Sequence, residues 1–316
     1  MVAAAERTPV AIPASASLEG EAVDAASPSR EWGFEKGAEL APGRFVVRLL
    51  GGGERYESLL AWDERLFSLV VVKIVRPNLV QDRHALEGLA EEVRMLENLR
   101  HPVLVRAFDA VLGGPRPHVV LEHLEGPRLS TLIRKYGPVE CEQLLPLGLQ
   151  LFSALHYLAG EGIVHLDVKP SNIIMGAPAR LIDLSIAQPI RALADKRSPI
   201  GTDAYMAPEQ CDPAERGPIT AAADVWGVGA TLYDAGSGRQ PFARPGPDEP
   251  RFPQLQEAPA PLPAKLPNEF RNLVTACLDP DPGARPTPAE AAGQLELLVD
   301  ALPRRLVLGR FRVRTR

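Results

Sequence analysis

The sequence predicts an α+β fold in two lobes, and three observations carry that reading. An apolar run over residues 69–75 and the stretch His118-Val119-Val120-Leu121 read as buried strands, while Leu86, Leu89, Ala90, Val93, Leu96 and Leu99 between them recur at helical spacing. Within residues 137–162, Leu144, Leu145, Leu151, Phe152, Leu155 and Leu158 mark a second helix, in which Pro146 is tolerable only near the start. The chain has 316 residues, long for one compact core and suited to two lobes with tails.

The segments outside these elements differ in character. Residues 1–38 are rich in Ala, Ser, Pro and Glu without a sustained period and read as a disordered tail, with Trp32 and Phe34 as the place where order would begin. Nine prolines within residues 241–267 exclude long regular structure and suggest an irregular segment under the second lobe, either a connector or a docking surface. Six arginines mixed with apolar residues in 304–316 form a basic tail, a solvated or packed strand or a contact for acidic partners.

Composition excludes several functions. Hydrophobic residues at 45% and charged residues at 24% are ordinary globular values, and a net charge of −5 gives no drive toward nucleic acid. No 18-residue apolar run could span a bilayer, and the start of the sequence lacks an apolar signal core. Cys141, Cys211 and Cys277 are few, odd in number and without metal-ligand spacing, so they read as buried or free thiols in a reducing compartment. The expected location is the cytoplasm.

The run His165-Leu166-Asp167-Val168-Lys169-Pro170-Ser171-Asn172, followed by Asp183, carries the chemistry. A hydroxyl attacking the terminal phosphate of ATP must lose a proton, so one carboxylate belongs beside it, which suits Asp167 as base. Mg²⁺, with Mn²⁺ as a substitute, keeps oxygen ligands, and Asn172 and Asp183 offer an amide oxygen and a carboxylate. Lys169, two residues past the base in an extended loop, could reach the transferring phosphate as a point charge.

This run resembles the catalytic loop of the eukaryotic-type (Hanks-type) serine/threonine protein kinases, and Asp183-Leu184-Ser185 resembles their metal-binding triplet. The resemblance extends in family order over roughly residues 44–298. It implies a bilobal protein kinase-like fold with a small β-rich first lobe holding one main helix and a large, mainly helical second lobe. The domain would cover 39–300, with lobes at 39–121 and 126–300, a hinge at 122–125 and the basic tail at 301–316. Lys73 in Val71-Val72-Lys73-Ile74 would hold the α and β phosphates and pair with Glu92, for which Glu91 is the rival. Gly51 and Gly53 would approach the phosphates. Glu122-His123-Leu124 would offer backbone groups to adenine, with Val71 above the purine and Leu121 at the back of the pocket.

Residues 201–209 resemble the end of an activation segment, Asp224-Val225-Trp226-Gly227 the start of the central helix, and Arg285-Pro286-Thr287 the distal helix whose arginine would pair with Glu209. Thr202 would bond Asp167 and Lys169 and shape the site for serine or threonine; a surface threonine or phosphosite is the other reading. Of the departures from the pattern, three bear on how the site would be regulated. Tyr56 replaces a third glycine, Ser185 the glycine after the metal-binding pair, and Leu166 the arginine that grips an activating phosphate, so regulation through that grip is not expected. The resemblance implies an ATP-dependent kinase of protein serines and threonines, with autophosphorylation and a signalling role. A nucleotide-binding scaffold with weak or no transfer is the alternative, and a small-molecule phosphotransferase a minor one. Self-association stays open, as do partner contacts through 241–267 or 304–316.

Overall fold

A six-stranded antiparallel sheet forms the first lobe of the structure, a computed structural model that describes residues 29–246 and 248–302. Strands β1 (Glu39–Ala41), β2 (Arg44–Gly52), β3 (Tyr56–Asp63) and β4 (Ser68–Val75) are consecutive neighbours. Helix α1 (Arg83–Asn98) follows, then β5 (Ala107–Val111) and β6 (His118–Glu122), with β6 inserted between β4 and β5. Alternation along β4 explains its apolar run. Val70, Val72 and Ile74 join Leu40, Val46, Leu59, Ala61 and Val120 on one face, while Val71, Lys73 and Val75 face the other lobe and α1. Asp82 caps α1 by accepting from Ala85 N at 2.8 Å, and the buried stripe Ala85, Leu89, Val93 and Leu96 carries Glu92 with it.

The second lobe contains α2 (Leu129–Tyr136), α3 (Cys141–Gly160), β7 (Ile163–Val164), β8 (Ile173–Ile174), β9 (Arg180–Leu181), β10 (Gln188–Pro189), α4 (Ile190–Leu193), α5 (Pro208–Cys211), α6 (Pro213–Arg216), α7 (Ala222–Ser237), α8 (Asn268–Cys277) and α9 (Pro288–Asp300). Helix α7 is buried on all sides from Ala223 to Gly236, as expected of a central pillar with neighbours all round. Gly148 of α3 lets Leu232 of α7 and Leu295 of α9 pack against its backbone. Pro146 lies in the second turn of α3, farther in than its chemistry suggested, within a helix whose Leu144, Leu145 and Leu147 are buried on either side of it.

Residues 29–38 correct the expectation of a tail reaching residue 38. Trp32 donates from Nε1 to Val75 O at 2.8 Å and stacks on Phe34, and both rings pack on the outer face of the sheet under Arg116. Arg76, just past β4, ties this strap to the hairpin between β2 and β3, donating to Arg30 O and Gly53 O, each at 2.6 Å. The proline-rich segment 241–267 has the irregular form its composition dictates, with one short turn at Pro253–Leu255. The expected tails at 1–28 and 303–316 lie outside the described residues, and among those described no helix is long and apolar enough to cross a membrane.

Glu209 and Arg285 form a bidentate bridge, Nη1 to Oε1 at 2.7 Å and Nη2 to Oε2 at 2.9 Å, with side chains 1% and 0% exposed. Removing one partner leaves the other charge buried alone. Glu209→Gln is expected to lower unfolding free energy by about 3–5 kcal/mol in urea titration; a change below about 1 kcal/mol would contradict the role given to this bridge.

Candidate active site

One ammonium group joins the lobes. Lys73 Nζ donates to Glu92 Oε1 and Oε2 at 2.9 and 2.8 Å, and to Asp183 Oδ1 at 2.8 Å. The sheet, α1 and the loop after β9 thus meet at one cation, and Glu92 rather than Glu91 is its partner. Burial pushes Lys73 toward neutrality, and the two carboxylates more than offset it, so the lysine keeps its proton above the ordinary range. Glu92, 1% exposed, is raised by burial, whereas in Asp183 burial is outweighed by Lys73 and by bonds from Ser185, which hold its carboxyl below the usual range.

The catalytic loop hangs from the pillar helix. Asp224, in the first turn of α7, accepts from His165 N at 2.6 Å and Leu166 N at 2.8 Å. Leu166 and Asp183 hold positive φ angles of 68° and 71°, conformations costly for side chains other than glycine and imposed here by the surrounding bonds. Gln210 ties Leu166 O and Ile200 O together, each at 2.9 Å, beside Gly201, where a Cβ would lie 2.9 Å from Leu166 O. These contacts bring Thr202 onto the loop. Thr202 Oγ1 donates to Asp167 Oδ1 at 2.6 Å and accepts from Lys169 Nζ at 2.6 Å, Lys169 reaches Asp167 Oδ2 at 2.7 Å, and Asn172 Nδ2 donates to that oxygen at 3.0 Å.

A cavity of about 390 Å³ lies between the lobes, lined by Val71, Lys73, Leu121, Glu122, Leu124, Asn172 and Asp183 among others. Its apolar walls and convergent charges have the form of a small-molecule site.

The sequence matches the Protein kinase domain family over residues 45–295. The chain belongs to the protein kinase domain family. It is 34% identical over 259 residues to the protein of Thermomonospora curvata named "Probable serine/threonine-protein kinase PkwA", covering 81% of this chain and 34% of that one. It is 32% identical over 225 residues to serine/threonine-protein kinase PknB of Mycobacterium leprae, covering 67% of this chain and 35% of the relative. The chain therefore spans about a third of the length of these bacterial relatives.

Within this kinase domain the structure also shows what motif reading missed. Glu122 engages Arg106 and Arg180 through its carboxylate, with Arg106 Nη2 at 3.0 Å. Arg48, Arg128 and Thr131 line the cavity, and Arg128 donates to Ser171 O at 2.6 Å. Gly126, beside the hinge, has a φ of 131°, and a Cβ there would lie 2.0 Å from Met175 O. No periodicity marks these arginines, though the hinge glycine could have been sought after Glu122. The proline-rich segment reaches the end of the activation segment, where Arg251 forms a bidentate bridge to Asp203 at 2.8 and 3.0 Å and Gln254 donates to Asp203 O at 2.7 Å.

The glycine-rich hairpin differs from expectation. Gly51 lies in β2 opposite Ser58, and Gly53 turns its N–H onto Tyr56 O at 3.0 Å, closing the hairpin instead of presenting that amide to the cleft.

Lys73→Met would leave Glu92 ionised and buried without its cation, a cost of about 3 kcal/mol. A carboxyl whose folded pKa is raised is stabilised by protonation, so the penalty is greatest at high pH and shrinks as pH falls through the folded pKa. Urea midpoints of the two proteins are expected to converge between pH 8 and pH 5; a gap independent of pH would contradict the pairing.

Proposed function

We propose that the chain transfers the γ-phosphate of Mg-ATP to serine and threonine hydroxyls of proteins. The observation that carries this reading is the Asp167–Thr202–Lys169 triangle, in which a carboxylate already accepts from a short aliphatic hydroxyl next to a cation. A substrate serine in the same relation to Asp167 would give its proton to the carboxylate. Its oxygen would form the new bond to the γ-phosphorus as the bond to the β–γ bridging oxygen breaks, releasing ADP. Lys169 would offset charge on the moving phosphoryl group, and Lys73, fixed by Glu92, would hold the α and β phosphates.

Asn172 and Asp183 suit a hard divalent cation. Both line the cavity, and Asn172 directs its amide N–H₂ to Asp167, which leaves its oxygen as a donor. Among the described residues no cluster of three or more His, Cys, Asp or Glu could hold a metal alone, which agrees with an ion shared with the phosphates. Asn172 and Asp183 would hold such an ion, which would supply positive charge to offset the negative charge of the phosphates. Adenine would lie between Val71 and Leu121, against the backbone at Glu122 and Leu124.

The rival reading, a nucleotide-binding scaffold without transfer, draws on the closed hairpin and Tyr56. Incubation with γ-labelled ATP, Mg²⁺ and a basic protein substrate separates the two. Asp167→Asn is expected to reduce transfer by at least about 10²-fold, and transfer equal to that of the wild type would sink the kinase reading. Autophosphorylation and a signalling role belong to the same proposal, with labelled serine or threonine in the chain itself as their first sign.

A further inference from the structure

Tyr56 has a place in the fold that its departure from the glycine pattern did not suggest. From the first residue of β3 its side chain points into the space between the hairpin and α1 and is only 9% exposed. The hydroxyl donates to Ala85 O, in the first turn of α1, at 2.9 Å, and Lys73 Nζ lies 5.0 Å from the ring centroid. Across from it, α1 carries Gly88, where a Cβ would come within 3.0 Å of the Tyr56 hydroxyl. A large side chain on the hairpin and a missing one on the helix make a single fitted contact. Burial raises the phenol above its ordinary pKa, so it keeps the proton it donates.

The contact bears on Glu92, seven residues after Ala85 on the same helix and buried with it. We propose that Tyr56 is a positioning residue that holds α1 in the seat where Glu92 meets Lys73, in the unphosphorylated chain. The catalytic loop supports this assignment. Leu166, beside Asp167, is a buried apolar side chain and offers no cation to a phosphate on the activation segment, so assembly of the pair must come from elsewhere. The effect on turnover rests on the kinase reading; the effect on α1 does not.

Amide hydrogen exchange of nucleotide-free, phosphatase-treated protein tests the structural half, and single-substrate kinetics test the consequence. In Tyr56→Gly, exchange of residues 86–98 is expected to rise at least about tenfold while residues 69–75 keep their protection, with Tyr56→Phe between the two. The kcat of Tyr56→Gly is expected to fall by about tenfold, partly rescued in Tyr56→Phe, with a smaller change in KM for Mg-ATP. Gly88→Ala should loosen α1 in the wild type, and beside Tyr56→Gly it should instead tighten α1 by the ordinary preference of a helix interior for alanine. Unchanged α1 exchange in both Tyr56 variants, equal loss across the whole sheet, or an equal Gly88→Ala effect in both backgrounds would overturn the proposal. Raised α1 exchange in the Tyr56 variants, together with a wild type that transfers no phosphate, would instead overturn the kinase reading and leave the positioning role standing.

Discussion

The structure depends on a single ammonium group held between two carboxylates. Lys73 belongs to the sheet, Glu92 to α1 and Asp183 to the second lobe, so the cation ties three elements together at once. A lysine with one buried partner would balance its charge; with two, one carboxylate stays short of neutralisation. The two carboxyls shift in opposite directions, Glu92 upward by burial and Asp183 downward where Lys73 and Ser185 outweigh burial. Under the proposed function, Mg²⁺ and a triphosphate would suit this arrangement, since they would bring a cation to Asp183 and anions to Lys73.

The lower half of the site is organised from the core outward. Helix α7 is buried all round, and its Asp224 fixes the amides of His165 and Leu166, directly before Asp167. The Glu209–Arg285 bridge holds the start of α5, and Gln210 next to it bonds back to the catalytic loop. Thr202 is delivered to Asp167 through this chain of contacts. The hydroxyl-bearing triangle is thus supported by buried polar groups with defined partners, an arrangement that favours precise placement.

Much of this was legible in the sequence, for identifiable reasons. The helical stripe around Glu92 and the buried run around Lys73 mark the two elements, and the resemblance to protein kinases names the pair. Asp167, Lys169 and Asn172 lie within one short loop, where their order is nearly their geometry. The direction of Tyr56, the packing of Trp32 and Phe34, the turn of Glu122 toward Arg106 and Arg180, and the bridge from Arg251 to Asp203 were not legible. Each joins residues distant in sequence, and neither period nor motif names the partner. The closed hairpin at Gly53 is of the same kind, since a glycine pattern states what space is available and not which carbonyl takes the amide.

Under the proposed function, a chain whose lysine pair is assembled by its own side chains would need no prior modification to begin transfer. The time course of phosphate transfer from Mg-ATP by protein purified free of phosphate tests this most directly. The account predicts a rate that is constant from the first turnover and unchanged by preincubation with ATP. A lag that preincubation abolishes would show that the site is completed by phosphorylation, and would contradict it.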